Sequence, residues 1–217
     1  MNDYHPLLSV FIGFLCVFII VSLVKTIRSY YVFKASFYPE IYSGFFEFLI
    51  RKKNLKRMSQ SYWLENQLGY HRIMFQVTKT QDGFLQPYIL ILLSTGLYVI
   101  QIYNESAHYI CKNKKFKKIK EDERKQKIVY NLPYPLNEFY QFQSHFLKLI
   151  NSQSLPMIFI TAFTDTSELE ISLQDTLNVY KKDLINTIVQ LHHHQKQRFD
   201  DDEIDNIYKI FMKKTFG

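Results

Sequence analysis

The chain has 217 residues, 47% hydrophobic and 17% aromatic, with a formal net charge of +7. This length accommodates one membrane segment and one domain of ordinary size. Cys16 lies inside an apolar run and Cys111 stands alone downstream, which excludes a disulfide framework. Only 6 glycines occur, none in a glycine-rich run, which excludes a phosphate-cradling loop.

Residues 7–24, LLSVFIGFLCVFIIVSLV, contain no charge and no proline. As a helix they reach about 27 Å at ~1.5 Å per residue, close to a hydrocarbon core of roughly 30 Å. No basic stretch precedes the run and no small-residue cleavage pattern follows it, so it reads as an uncleaved anchor rather than a signal peptide. A buried soluble helix would normally carry a polar stripe. Residues 1–6 hold no Lys or Arg, whereas Lys25, Arg28 and Lys34 follow the run. The positive-inside rule then places residues 1–6 outside and the rest in the cytoplasm, as a single-pass protein of the plasma membrane. The expected organisation is 1–6 extracytoplasmic, 7–24 transmembrane, 25–42 juxtamembrane and 43–214 a cytoplasmic domain. All 27 basic residues but only 19 of the 20 acids follow residue 24, giving that part +8.

Residues 29–44 are aromatic, suited to the bilayer interface, and Pro39 is expected to interrupt any helix there. FFEFLIRKKNLKRM predicts one helix with a basic side, and SYWLENQL a second closed by Gly69. From residue 71 the period changes: HRIMFQVTK alternates as a strand, TQDG is a turn, and Tyr88–Leu93 is an apolar strand. A two-residue loop at Ser94 and Thr95 would put Tyr88 directly across from Gln101 on the strand Leu97–Tyr103. Residues 108–129 predict one or two charged strands. Leu136, Phe139, Phe142, Phe146 and Leu149 have helical spacing, and MIFITAF and LEIS read as strands. Residues 175–197 predict a helix with Leu177, Leu184, Ile188 and Leu191 inward, and 200–214 a last helix with acids first and lysines last. The fold class is α/β (α+β) around a central mixed sheet flanked by helices.

Two clusters concentrate the positive charge. The first comprises Arg51, Lys52, Lys53, Lys56 and Arg57; the second includes Lys112, Lys114, Lys115, Lys117 and Lys118, with Phe116 among them. Either cluster suits anionic lipid or nucleic acid, with Phe116 as a stacking ring. His192, His193 and His194 are consecutive, about 100° apart on a helix, and cannot converge on one metal ion.

SGFFEFLIRK, GYHRIMFQV, GLYVIQIYN, YPLNEF, MIFITAFTDTSELEIS and DDEIDNIY, in this order over residues 43–210, resemble the nuclease-related domain (NERD) family. That family belongs by fold with the restriction-endonuclease-like PD-(D/E)xK nucleases. The resemblance implies a cleft in which an acid on one strand, and an acid two residues before a lysine on the next, hold a divalent metal that activates water. Gly96, Tyr98 and Asn104 match the family's strand pattern, but its glutamate position is Gln101 and its lysine position Tyr103. The aspartate position falls on Tyr88, after Gln86, and the downstream Asn-Pro-x-x-Gln element reads Tyr134, Pro135, Leu136, Asn137, Glu138. Gly44 and Glu47 of an early Gly-x-x-Glu pattern survive. A neutral amide binds a hard cation poorly, and a phenol is neutral at pH 7. The expectation is therefore a pseudoenzyme without metal or cofactor, with Tyr88, Gln101, Tyr103 and Glu138 as vestigial positions. It would bind a protein or nucleic acid at the membrane face. The alternatives are a divergent metal-dependent nuclease and a structural part of a membrane complex.

Overall fold

The computed structural model describes residues 6–79, 85–122, 124–151, 155–172 and 176–216. Helix α1 (Pro6–Ala35) is continuous for 30 residues. From Val10 it has the length and apolarity to cross a membrane, and its most apolar window has no buried residue. Its last turns enter the domain: the Phe33 ring meets Phe45 at 5.8 Å and Phe48 at 5.4 Å and is buried. Phe37, Ile41 and Tyr42 join the same core, so packing begins before the expected boundary at residue 43. Tyr30 and Tyr31 alone among these aromatics stay largely exposed. The helix breaks ahead of Pro39 as expected: α1 ends at Ala35, whose carbonyl the ring of Pro39 would meet, and Pro39 begins a new helix. The proline sits in the first turn of α2 (Tyr38–Ile41), where its missing N–H has no helical acceptor to lose.

The predicted basic helix is two helices, α3 (Phe45–Arg51) and α4 (Leu55–Met58). Asn54 breaks it, its side chain accepting from Lys56 N at 2.9 Å as a cap for the second piece. Helix α5 (Tyr62–Leu68) starts at the Ser61 cap and ends at Gly69 with φ +72°, as expected of its closing glycine. Then follow β1 (Arg72–Lys79), β2 (Leu85–Leu93), β3 (Gly96–Tyr103), β4 (His108–Lys112), β5 (Lys115–Glu121) and β6 (Lys127–Leu132). Helix α6 (Pro135–Ile150), β7 (Met157–Phe163), β8 (Glu168–Ile171), β9 (Leu177–Tyr180), α7 (Leu184–His194) and α8 (Asp201–Phe216) complete the chain. The helix predicted over 175–197 is corrected: Leu177–Tyr180 pairs as a strand, and only Leu184–His194 is α-helical. Leu177 is accordingly exposed, while Leu184 and Ile188 are buried as expected. The turn predicted at residues 80–83 lies outside the described residues.

The central mixed sheet runs β1-β2-β3-β7-β9. β1, β2 and β3 form an antiparallel meander, and β7 returns through α6 to lie parallel to β3. A second sheet, β6-β5-β4-β8, accompanies it. It forms where the chain leaves the first sheet beyond Tyr103 and Phe163 and pairs again, His108 opposite Glu168. Glu168 N donates to Ala107 O at 3.1 Å at that join.

Every residue of β3 is buried, because helices cover both faces of the central sheet and the second sheet covers Tyr103 at its end. Ile89, Ile91, Leu93, Tyr98 and Ile100 face α3, α5 and α7 with Phe48, Leu64 and Leu184. Tyr88, Leu90, Leu92, Leu97 and Val99 face α6 and α8, with Phe142, Phe146 and Ile204. His71 is buried under the first layer, its Nε2 accepting from Ser61 N at 3.0 Å and its Nδ1 2.9 Å from Gly69 O. Only a neutral ring with the proton on Nδ1 satisfies both, and burial holds His71 below its ordinary pKa.

Two expected outcomes come from this framework. Gly96 has φ +149°, and a Cβ there would meet Pro156 O at 2.7 Å. Gly96→Ala should cost about 1–3 kcal/mol, read from denaturant unfolding in neutral detergent. The neutral His71 stabilises fully above an unfolded pKa of 6.5, and this contribution is lost as pH falls from there through the folded value. Unfolding measured between about pH 7.5 and about pH 5.5 should show stability falling with acidification, with a shallower slope in His71→Gln.

Candidate functional site

Strand registers bring two of the positions singled out from the sequence, Tyr88 and Gln101, onto one line across the central sheet. Gln76 pairs with Tyr88, Tyr88 with Gln101, Gln101 with Thr161, and Thr161 with Asn178. These five residues thus form a polar row across all five strands. The neighbouring row toward the β2–β3 loop on the same face is apolar: Met74, Leu90, Val99 and Phe159. The expected opposition of Tyr88 and Gln101 holds, since Ser94 and Thr95 are indeed a two-residue loop with Leu93 paired to Gly96. Gln76, Thr161 and Asn178 were not singled out from the sequence. A lone hydroxyl within MIFITAF was the available signal for Thr161. Reading 175–197 as helix hid Asn178.

Tyr88 is buried and its ring stacks on Phe142 of α6, centroids 5.6 Å apart and planes 19° from parallel. Gln101 is 2% exposed, and its Oε1 has no hydrogen-bond partner. Thr161 Oγ1 donates to Asn178 Oδ1 at 2.5 Å. Beyond Gln101 on the same face, Tyr103 stacks on Phe163 at 4.8 Å and meets Phe116 and Tyr109, each at 5.4 Å. That aromatic cluster is the seam between the two sheets. Burial, then the neighbouring Tyr88, Tyr109 and Glu138, push the Tyr103 phenol well above its ordinary pKa. It stays neutral where a lysine would be an ammonium. Glu138, half-buried in the first turn of α6, is the carboxylate near this end of the row.

Glu47 does not join the row. It lies on α3, across the sheet, where Oε1 accepts from Arg51 Nε at 2.7 Å and Tyr62 N at 2.8 Å. Oε2 takes both Ser43 N and Ser43 Oγ at 2.8 Å. Burial alone would raise its pKa, but these donors overcome it and hold Glu47 below the usual range. Glu47 is therefore committed to closing the α3–α5 corner. The same network corrects the first basic cluster: Arg51 is buried, stacked 4.2 Å over Tyr62 and donating to Arg57 O. It offers no cation to a ligand. Lys53, Lys56 and Arg57 remain exposed, and Lys52 is half-buried.

In the second cluster, strand alternation turns Phe116 inward to 2% exposure, which removes it as a stacking ring for a nucleic-acid base. Lys112 pairs with Glu170 at 3.0 Å, and Lys118 and Lys120 share Glu105 at 2.8 Å. Lys114, Lys115 and Lys117 are exposed and form no ion pair among the described residues. They sit on or beside a tight turn in which Asn113 and Lys114 have φ of 53° and 61°. His192 Nδ1 lies 2.9 Å from Thr95 Oγ1, which in turn lies 3.2 Å from the Tyr98 hydroxyl, so this histidine braces the hairpin loop. Among the described residues no three His, Cys, Asp or Glu side chains gather as a metal site.

Comparison of the chain with family models, curated proteins and solved structures gives no match.

The row makes opposite demands on two substitutions at one position. Gln101→Leu removes an unpaired buried acceptor that costs about 1–3 kcal/mol, so its stability should equal or exceed that of the parent. Gln101→Glu buries a carboxylate beside neutral groups and should be destabilised at neutral pH and recover partly on acidification, as the acid becomes neutral. Denaturant unfolding at two pH values reads both.

Proposed function

We propose that this chain is a single-pass membrane protein whose nuclease-like domain no longer hydrolyses phosphodiesters and instead binds a partner at the cytoplasmic face. The observation that carries the reading is the row through Tyr88 and Gln101, with Tyr103 beyond it. At the positions where the resemblance calls for two acids and a lysine, the side chains are a phenol, an amide and a phenol. None is charged at pH 7. Mg²⁺ favours charged oxygens and holds near-ideal octahedral geometry, and one carboxylate, that of Glu138, is a poor substitute for a pair. Stacked rings fill the space around Tyr103, so a scissile phosphate would have to displace an aromatic cluster rather than water.

The order of elements agrees with the resemblance: a helix, a three-strand meander, a helix, then a strand parallel to the third. Membrane attachment draws support from α1, which is apolar for a bilayer-spanning length and whose end is built into the domain core. Basic residues occur only after its apolar run, favouring a cytoplasmic domain. The partner would meet the exposed Lys114, Lys115 and Lys117 and the adjoining edge strand β6, where Ile128, Val129 and Tyr130 stay exposed. A protein partner suits this mixture of lysines and apolar side chains on an unpaired edge. Nucleic acid would engage the lysines alone.

Purified chain incubated with DNA and RNA plus Mg²⁺ or Mn²⁺ should leave both intact. Metal-dependent cleavage lost in Glu138→Gln would overturn the inactive reading in favour of a divergent nuclease. Nucleic-acid binding, where measured, should weaken steeply between low and moderate salt if phosphates are its basis. Alkaline carbonate should leave the chain in the membrane pellet, with its amino terminus retained; release, or a shortened amino terminus, would sink the anchor.

A further inference from the structure

A cleft of about 360 Å³ opens between the end of α1 and α3, lined by Arg28, Ser29, Lys52, Val32, Phe48 and Met58 among others. Lys52 Nζ donates to Ser29 Oγ at 2.5 Å and lies 5.7 Å from the centre of the Phe48 ring. Phe48 is buried and Met58 half-buried, so one wall is apolar while two cations define the other. Among the described residues no carboxylate pairs with Arg28 or Lys52. Two cations beside one cleft with no counter-charge make it a place for an anion.

Its depth says which anion. Arg28 and Ser29 lie four and five residues past Val24, about 6–8 Å along the helix axis at ~1.5 Å per residue. Headgroups extend roughly 5–7 Å beyond the hydrocarbon on each side. Val21, Lys25, Arg28 and Val32 follow one another at helical spacing, so a single stripe of α1 runs from the apolar span into the cleft. We infer that this cleft holds the phosphate of an anionic phospholipid, gripped by Arg28 and Lys52 with the Ser29 hydroxyl beside them, its glycerol backbone toward Val21 and Lys25 and the wall of Val32, Phe48 and Met58 closing the cleft on the side away from the bilayer. The assignment rests on α1 being a membrane anchor. It gives the first basic cluster a lipid role through Lys52 and separates it from the second. Binding there joins the end of the anchor to α3 and so fixes the tilt of the domain on the membrane.

The test uses the full chain in neutral detergent micelles, titrated with short-chain phosphatidylglycerol, phosphatidylcholine of equal chain length, or inorganic phosphate. Phosphatidylglycerol should be retained in native mass spectra and raise the thermal midpoint, with phosphatidylcholine weaker. Arg28→Gln and Lys52→Met should each weaken phosphatidylglycerol about tenfold, the scale of one lost charge-assisted hydrogen bond. Arg28 is exposed on α1, so its replacement leaves the core intact, and Lys196→Ala on a remote exposed segment should change nothing. Equal retention of the two lipids, or unchanged affinity in both variants, overturns the site. Inorganic phosphate that stabilises as well as the lipid assigns the cleft to a free anion and overturns the lipid. Because binding is read in micelles, this failure is distinct from release of the chain by alkaline carbonate, which would instead remove the anchor.

Discussion

Pairing of Leu93 with Gly96 across the Ser94–Thr95 loop sets which side of the central sheet each residue of β2 and β3 meets. Side chains alternate along a strand, so a slip of one residue would exchange the two faces. Ile89 and Ile91 would then turn toward α6, and Tyr88 and Leu90 toward α3. The register is held at several points. Gly96 supplies a backbone conformation that other residues resist, and Leu97 N donates to Pro156 O at 2.9 Å, tying the hairpin to β7. Arg198 N and Phe199 N both donate to Ser94 O, while His192 reaches Thr95. The loop is therefore clamped from three directions, and the polar row on the far part of the strands inherits its alignment from that clamp.

The second constraint is the aromatic seam. Tyr103, Tyr109, Phe116 and Phe163 come from four strands in two sheets, and their rings lie within 4.8 to 6.0 Å of one another wherever they pair. A lysine at position 103 would bring an ammonium into this cluster, at a desolvation cost that a tyrosine avoids. The second sheet and a neutral ring at that position are in this sense one arrangement. The packing that docks β4 and β5 is the packing that surrounds Tyr103 with rings. Gln101 and Thr161, one step back along the strands, keep polar groups where the seam ends and the helix-covered core begins.

A third feature is the junction with α1. A long apolar helix joined by a loose tether would leave its direction relative to the domain undefined. Here Phe33 is 7% exposed and packs on Phe45 and Phe48, so the last turns of the helix are part of the domain. Glu47, buried at the corner of α3 and α5, holds the partner surface of that helix in place through Ser43, Tyr62 and Arg51. The apolar helix and the folded domain therefore share residues.

Periodicity and composition by themselves determined the apolar helix, the meander, the facing of α6 and the opposition of Tyr88 and Gln101, because each depends on contacts close in the chain. An apolar run, a two-residue loop and a 3.6-residue repeat are local facts. The sequence also carried the chemical content of the row, since an amide and two phenols are neutral wherever they fold. Only the tertiary structure decided what lay across long separations. Residues 177–180 are a strand because β7 offers an open edge, which no local propensity records. Arg51 and Phe116 look exposed within their basic runs, yet Glu47 and Tyr103 draw them inside. The split into two sheets follows from β4 and β8 pairing after both chains leave the first sheet, residues 108 and 168 meeting across a distance in sequence that no window spans. Charge and pattern are properties of neighbours in the chain; burial and partnership are properties of neighbours in space.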